Sequence, residues 1–196
     1  MKFKIVDRKK TGFARYCPTF ARAYQVMAEK IRRRRLVKNL AKDLAKDLGS
    51  ENPDVRHNAA WILGSAALEG VDISDAVGAL GKALDDGYVG VRRPAARALA
   101  EAAEKGVDVS GAVGALVKVV VDENPEVRRC AAWALGDAVA NEKIREGVVR
   151  EILKFMNSSW FMQEAEKNSD AFIDVVDELD EVLRRVKAIE AEREVA

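Results

Sequence analysis

Apolar positions recur at intervals of three and four residues along most of the chain, a spacing that predicts α-helices. The stripe through Val77, Leu80 and Leu84 is one example. The pattern predicts helix pairs at 36–48 and 53–68, at 74–86 and 90–105, and at 110–122 and 125–140, with a further helix near 145–157. The valine-rich stretch 115–123 has the composition of a strand, but its counterpart at 79–87 does not, so we assign helix to both.

Capping residues flank the predicted helices. An Asn followed by Pro supplies an N-cap and a first helical residue that needs no N–H. A glycine just after the last turn can end a helix in the left-handed conformation. The predicted N-caps are Asn52, Asn124, Ser74 and Ser110, and the predicted C-terminal glycines are Gly70 and Gly106.

One sequence motif occurs three times. The letters NPDVRHNAAWILG at 52–64 return as NPEVRRCAAWALG at 124–136, and a weaker copy, YVGVRRPAARALA, lies midway at 88–100. Val55 and Val91 are therefore in register at an offset of 36 residues. A helix pair of this size leaves one face uncovered, so consecutive pairs must stack on one another. We predict an all-α fold, an α-α superhelix with an N-terminal helical cap and a long C-terminal helix.

The repeated motif is similar to the second helix of HEAT-like repeats, especially the short kind found in phycobilin lyases. The similarity is close in 52–64 and 124–136 and looser in 88–100, where the Asn-Pro start is absent and Pro94 intrudes. The resemblance implies a HEAT-like solenoid whose second helices line the concave side. The resemblance and the repeat register together predict three regions. Residues 1–35 are a basic segment that contains a capping helix at 18–31, residues 36–157 are HEAT-like repeats, and residues 158–196 are an acidic helical cap.

The composition, with 48% hydrophobic and 33% charged residues, is that of an ordinary soluble domain. Neither a signal peptide nor an apolar run of about eighteen residues is present, so we expect a cytoplasmic protein with no membrane contact. Residues 1–40 hold 13 basic and 2 acidic residues, a net +11, whereas 41–157 carry −4 and 158–196 carry −6. Abundant Lys, Arg and Glu with only two Gln indicate a thermophile.

Groups for catalysis or metal binding are sparse. His57 is the only histidine, and Cys17 and Cys130 are far apart in the chain. Deoxyhypusine hydroxylases, which are HEAT-repeat enzymes, bind two irons through His-Glu pairs, but here Asn58 follows His57. We therefore expect no enzyme activity, no metal and no cofactor.

The repeated arginines Arg56, Arg92 and Arg128 have two interpretations. They form either a ladder for phosphates or acidic partners, or structural ion pairs. In proteins that resemble this one, the same arginine pairs with an acidic residue of the adjoining repeat, and we favour that interpretation. The acidic residues available are Asp54, Asp85, Asp86, Asp122 and Glu126.

The run Arg32, Arg33, Arg34 and Arg35 is the sharpest charge feature. Four consecutive helical residues sweep about 300° around the axis, so they cannot all avoid the core side of one packed helix. The run is a candidate contact for nucleic acid or an acidic partner. We favour the alternative, an inter-helix corner balanced by the acidic tail.

The strongest candidate for binding is a stripe on the second helices. Trp61 and Trp133 occupy one repeat position, and Arg97 holds that position in the middle repeat. The residues one turn earlier complete the stripe, which consists of His57, Trp61, Arg93, Arg97, Arg129 and Trp133. Trp and Arg often dominate binding energies, so the stripe predicts a site for an acidic, partly apolar peptide. The alternative is structural: each Trp covers alanines of its neighbour and Arg129 stacks on Trp133.

Residues 169–196 predict one long amphipathic helix with Ser169 as its N-cap. Its apolar lines run through Phe172, Val176, Leu179, Leu183 and Val186, and through Val175, Val182 and Ile189. We favour a helix that folds back to close the array. Self-association or a partner on this helix is the alternative.

Three functions remain open at this stage. We favour a non-catalytic scaffold that binds a protein or peptide partner on the concave face. Nucleic-acid binding through the basic N-terminal segment is the alternative. A second alternative, a lyase or chaperone for a bilin, is implied only by the resemblance.

Overall fold

The computed structural model describes residues 34–166 and 170–195, and within those residues the fold is helical without β-strands. The α-helices are α1 Arg34–Asp47, α2 Pro53–Leu68, α3 Val77–Ala83, α4 Val89–Glu104, α5 Val113–Val119, α6 Pro125–Ala138, α7 Arg145–Met156, α8 Ser159–Glu166 and α9 Asp170–Val195. Short 3-10 turns at Ser74–Ala76 and Ser110–Ala112 lead into α3 and α5. The predicted helices are therefore confirmed, including the valine-rich one.

Most of the predicted helix ends are also confirmed. The Asn52 side chain accepts a hydrogen bond from the N–H of Asp54 at 2.9 Å, and Asn124 does the same for Glu126 at 3.0 Å. Gly70 ends α2 at φ 74°. Gly106, with φ 75°, follows α4 in the same way.

The prediction that Ser74 and Ser110 are N-caps is wrong. Neither makes a side-chain capping bond, because the helical turn starts one residue earlier as a 3-10 turn. An aspartate two residues before each serine accepts the serine N–H instead, from Ser110 to Asp108 at 2.9 Å. Hydrogen bonds from the hydroxyl and N–H of Ser110 hold the pKa of Asp108 below its ordinary value.

The helices form two layers. The first helices of the repeats, α1, α3, α5 and α7, make one layer, and α2, α4 and α6 make the other. The second helices pack against each other far more extensively than the first helices do. A Cβ added at Gly64 of α2 would lie only 3.5 Å from the Cα of Ala98 in α4. The expectation that this layer lines the concave side of the solenoid comes from the resemblance and stays a prediction.

The core follows the repeat register. Leu44, Leu80, Leu116 and Ile152 stand at the same repeat position, and each is at most 2% exposed. Full burial of a side chain of this size contributes about 1.5–3 kcal/mol. The first-helix register predicted from the sequence is therefore the register of the core.

The long helix α9 packs against α6, next in the second layer. Leu179, Val182 and Val186 of its apolar lines are buried. A Cβ added at Gly136 of α6 would come within 3.8 Å of Val182. The tail therefore folds back onto the array, as favoured from the sequence, whereas the predicted N-cap Ser169 lies outside the described residues.

Several predictions for the N-terminus fall outside the described residues. They concern the capping helix at 18–31, Arg32 and Arg33. Arg34 and Arg35 are the first two residues of α1. In the part of the chain that is described, no helix has the length and apolar character needed to cross a bilayer.

Candidate functional site

The exposed surface of the second helices is narrow, because neighbouring helices cover most of each one. Beyond its first turn, α4 exposes only Arg93, Arg97 and Glu104. The paired alanines Ala95 and Ala96 on the same helix are fully buried. We call the surface left exposed on α2, α4 and α6 the inner face, and the stripe predicted from the sequence lies on it.

The two repeated tryptophans are exposed on the inner face. Trp61 is 51% exposed and Trp133 is 38% exposed. They stand one repeat before and one repeat after Arg97, whose side chain is 61% exposed. Single exposed apolar side chains are common on protein surfaces, so the repetition of Trp at one repeat position, rather than its exposure alone, makes this surface a candidate for binding.

Two of the three stripe arginines already have acidic partners. Arg93 donates to the Glu126 carboxylate at 2.9 Å. The Arg97 Nε lies 3.5 Å from Glu101 Oε1. Arg129 forms no ion pair among the described residues. The two ion pairs bring the stripe closer to neutral than its three arginines alone suggest.

Two carboxylates that the sequence analysis missed lie beside the stripe. Glu101 and Asp137 occupy one repeat position, and Ser65 holds it in the first motif copy. We call these three residues the acceptor row. Glu101 Oε2 and Asp137 Oδ2 are buried oxygens without a hydrogen-bond partner. A buried acceptor left unpaired costs about 1–3 kcal/mol of stability.

The repeat register could have revealed the acceptor row. Glu101 and Asp137 lie four residues after Arg97 and Trp133, which places them one helical turn further along the same face. This repeat position was missed because its three residues, Ser65, Glu101 and Asp137, differ in type. The second oxygen of Asp137 lies 3.4 Å from Arg185 of α9, a contact that no local pattern predicts.

His57 makes a contact between repeats. Its Nδ1 lies 2.5 Å from the carbonyl oxygen of Gly90 in α4. Pro94 has no N–H to donate to that carbonyl, which is four residues before it in the helix. Since a carbonyl can only accept, His57 Nδ1 carries the proton and donates it. The side chain of the single histidine therefore supplies the bond that Pro94 cannot make.

The repeated arginines form structural ion pairs in two of three cases. Arg56 donates through Nε and Nη2 to Asp86 at 2.5 and 3.0 Å. Arg92 donates in the same way to Asp122, at 2.7 and 3.2 Å. The bond from Arg56 lowers the pKa of Asp86, and the bond to Asp86 raises the pKa of Arg56. We call this series the arginine ladder.

Arg128 departs from the ladder. It donates to the carbonyl oxygens of Asp122 and Glu123, at 2.9 and 3.3 Å, as the other two arginines do to their own preceding loops. Within the described residues it has no carboxylate partner. The position that aligns with Asp86 and Asp122 is Ser158. The predicted pairing is therefore confirmed for Arg56 and Arg92, whereas Arg128 has no such partner among the described residues.

Other candidate chemistry is weak in the described part of the chain. No group of three or more His, Cys, Asp or Glu residues there is arranged to hold a metal ion. Cys130 is buried, and burial raises the pKa of its thiol, so it is a poor nucleophile. Cys17 lies outside the described residues.

Comparisons with known proteins agree with this architecture. The profile for HEAT repeats matches residues 77–154. A designed armadillo repeat protein in complex with the peptide (KR)4 is 23% identical at a TM-score of 0.58, over 76% of this chain and 64% of that one. Two engineered proteins are each 27% identical over 76% of this chain, with TM-scores of 0.52 and 0.51 and coverages of 63% and 38% of their own lengths.

This chain thus spans less than two thirds of each of these structures. No curated protein sequence matches it. The HEAT-repeat profile over residues 77–154, the stacked helix pairs and the solved structures together show an α-α solenoid fold similar to that of HEAT and armadillo repeats.

Proposed function

We propose that this protein is a non-catalytic scaffold that binds a peptide segment of a protein partner across the inner face. The observation that carries the proposal is the exposure of Trp61 and Trp133 at equivalent positions on either side of Arg97. On the middle helix, the exposed residues of this face beyond the first turn are polar: Arg93, Arg97 and Glu104. A pair of indole rings on such a surface offers the apolar contact area typical of binding hot spots.

Charge indicates the character of the partner. Arg93 and Arg97 are paired within the protein, whereas Arg129 retains an uncompensated positive charge beside Trp133. This arrangement suits an acidic, partly apolar peptide. The designed armadillo repeat protein of similar fold is in complex with the basic peptide (KR)4. The arginines of the stripe here favour the opposite charge.

His57 has a smaller part in this proposal than the tryptophans. Its Nδ1 is engaged with Gly90, which leaves only Nε2 for a ligand. We therefore expect the binding energy to come from Trp61, Trp133 and Arg129.

The proposal can be tested with a library of random peptides displayed on phage and selected on the immobilised protein. Peptides enriched on the native protein should bind Trp61→Ala and Trp133→Ala at least about tenfold more weakly, because each loses a hot-spot contact. Leu153→Ala is the matched control, since Leu153 is 44% exposed on a first helix. Equal binding by all variants, or lower melting temperatures in both tryptophan variants with unchanged binding, would show that the tryptophans serve packing.

A second candidate function, nucleic-acid binding, is favoured by the net +11 of residues 1–40. Those residues include the run from Arg32 to Arg35, of which only the last two belong to a described helix. Phosphate contacts make affinity fall steeply with salt. If this function is real, the affinity for duplex DNA should therefore fall steeply as the salt concentration rises. Negligible binding at low salt would exclude it.

A further inference from the structure

The last arginine of the ladder is held like the other two but binds no acid. In each repeat the arginine Nη1 donates at 2.9 Å to the carbonyl oxygen six residues before it. This bond orients the guanidinium, whose Nε and Nη2 atoms together form a fork for two oxygens. Asp86 binds the fork of Arg56. Asp122 binds that of Arg92. The Arg128 fork binds no side chain in the described part of the chain.

The open fork of Arg128 is accessible to solvent. Arg128 is half-buried as a residue. Among the described residues that are not exposed, the buried side-chain atoms without a hydrogen-bond partner belong to Glu101 and Asp137 alone. The unpaired Nε and Nη2 atoms of Arg128 are therefore not buried, and an anion can reach them. A guanidinium that is fixed by a backbone carbonyl and open on its fork suits an anion with two oxygens.

Ser158 occupies the place of the missing acid. It follows Arg128 by 30 residues, the same interval that separates Arg92 from Asp122. Its N–H donates to the carbonyl oxygen three residues earlier, as the N–H groups of Asp86 and Asp122 do. The preceding helix α7 packs against α5 as α5 packs against α3. Ser158 therefore has the same backbone placement as the two aspartates.

The Ser158 side chain keeps one of the two roles that the aspartates have. Asp86 Oδ1 accepts the N–H of Tyr88 at 2.9 Å, and the same carboxylate also binds an arginine. Ser158 Oγ accepts the N–H of Phe161 at 3.2 Å, at the start of α8. A hydroxyl carries no negative charge, so the second role, neutralising a guanidinium, is not filled. Position 158 therefore lacks only the acidic group.

We propose that Ser158 is a phosphorylation site and that its phosphate binds the fork of Arg128. The reaction requires a protein kinase and ATP. Ser158 Oγ forms a bond to the γ-phosphorus of ATP, and the bond from that phosphorus to its bridging oxygen breaks, so ADP leaves with the electron pair. The hydroxyl proton passes to a base of the kinase. This site is separate from the inner face and does not depend on peptide binding there.

Charge and position both favour a phosphate on Ser158. Arginine binds a phosphate through two parallel hydrogen bonds, as it binds a carboxylate. Ser158 directly precedes α8, and a negative charge is stabilised by the unpaired N–H groups at the start of a helix. The residue lies in the connection between α7 and α8 and is partly exposed, so its hydroxyl is open to modification. Because Arg128 belongs to α6, we expect the phosphate to tie this connection to the preceding repeat.

The first test places phosphoserine at position 158 of the full chain by genetic encoding. The phosphate should raise the melting temperature by about 2–4 °C, because it forms charge-assisted bonds that the unmodified chain lacks. In Arg128→Ala the same phosphate should give no such gain. Phosphoserine at Ser159 is the matched control, since Ser159 is exposed and one residue out of register, and its effect should not depend on Arg128. No gain at 158, or a gain that persists without Arg128, would overturn the inference.

Phosphorus NMR detects the contact with the fork directly. The second pKa of phosphoserine is ordinarily about 6, and a bound guanidinium lowers it because the cation favours the dianion. The phosphate at 158 should therefore have a lower pKa in the native background than in Arg128→Ala, whereas the phosphate at 159 should not. Equal values at 158 in the two backgrounds would mean that the phosphate does not bind the fork. If Arg128→Ala does not fold, Arg128→Gln, which keeps a donor without the charge, takes its place.

Two further measurements test the source of the phosphate. Phosphopeptide mapping of the chain isolated from the cells that make it should find phosphate on Ser158, and a chain that is unmodified there would overturn the assignment. Inorganic phosphate at millimolar concentration should leave the melting temperature of the unmodified chain nearly unchanged. If inorganic phosphate stabilises the chain through Arg128 as much as the phosphoserine does, the fork is a site for free anions and the modification is wrong.

Discussion

The arginine ladder and the acceptor row pair the same chemical groups in opposite ways. In the ladder, Arg92 meets Asp122 with two short bonds, and both side chains are at most 10% exposed. In the acceptor row, Arg97 reaches one oxygen of Glu101 at 3.5 Å and the other oxygen has no partner. The ladder joins one repeat to the next with fully paired carboxylates, whereas the acceptor row leaves two buried oxygens unpaired at a cost in stability.

The largest expected effect comes from breaking the ladder at its most buried pair. Arg92→Ala leaves Asp122 buried without its guanidinium and should lower the free energy of unfolding by about 3 kcal/mol or more. Arg97→Ala should cost less, because Arg97 is 61% exposed and its 3.5 Å contact already leaves the other oxygen of Glu101 unpaired in the native protein. Denaturant unfolding of both variants gives the comparison. Similar losses in the two would remove the distinction between ladder and row.

The next effect depends on pH. The hydrogen bond from Arg56 holds the pKa of Asp86 below its ordinary value. Asp86 therefore contributes stability above the unfolded pKa of about 3.9, and this contribution is lost as the pH falls through the folded value. Asp86→Asn should cost about 2 kcal/mol at neutral pH and reduce the dependence of stability on pH below about 4.

Melting curves between neutral and acid pH measure this dependence. The control is Asp85→Asn, which changes an exposed neighbour of the same loop. If the melting temperature of Asp86→Asn falls at acid pH as much as that of the native protein, groups other than Asp86 cause the acid sensitivity.

A smaller effect is expected at His57, where an inner-face residue does join two repeats. His57→Ala removes the bond to the Gly90 carbonyl and should cost about 1 kcal/mol. Pro94→Ala returns an N–H to that carbonyl, so the cost of His57→Ala should shrink in the Pro94→Ala background. A double-mutant cycle of unfolding free energies measures the coupling. Additive effects would mean that the two residues act independently.

The smallest effect is a gain at the end of the ladder. Ser158→Asp offers Arg128 the carboxylate that the register lacks and should raise stability by less than about 1 kcal/mol. Aspartate can also replace Ser158 as the acceptor for the N–H of Phe161. The gain should disappear when Arg128 is changed to Ala. An equal gain without Arg128 would show that only the helix start has improved.

The repeat made much of this structure predictable. The apolar spacing and the repeat gave the helix pairs and the register of Leu80 and Leu116, and the resemblance gave Arg56 and Arg92 an acidic partner in the adjoining repeat without choosing among five candidates. The register does not extend the pairing to Arg128, because position 158 holds a serine where the pattern needs an acid.

Contacts between unlike positions were not predictable in the same way. Arg185 meets Asp137 across 48 residues, from a helix with no counterpart in the repeat. The bond between His57 and Gly90 follows from the N–H that Pro94 lacks, but only once the two helices are known to be neighbours. The amino-acid sequence shows which repeat positions are equivalent, whereas the side-chain partners on the inner face depend on how the helix layers stack.

The arginine ladder has a consequence for how such an array changes length. The middle repeat carries both halves of the joint: Asp86 receives Arg56 from the repeat before, and Arg92 reaches Asp122 in the repeat after. An in-frame duplication of this 36-residue unit would bring a matching donor and acceptor to each new junction. Duplication of the repeat therefore needs no compensating substitution inside the array. The series of matched junctions stops at Ser158.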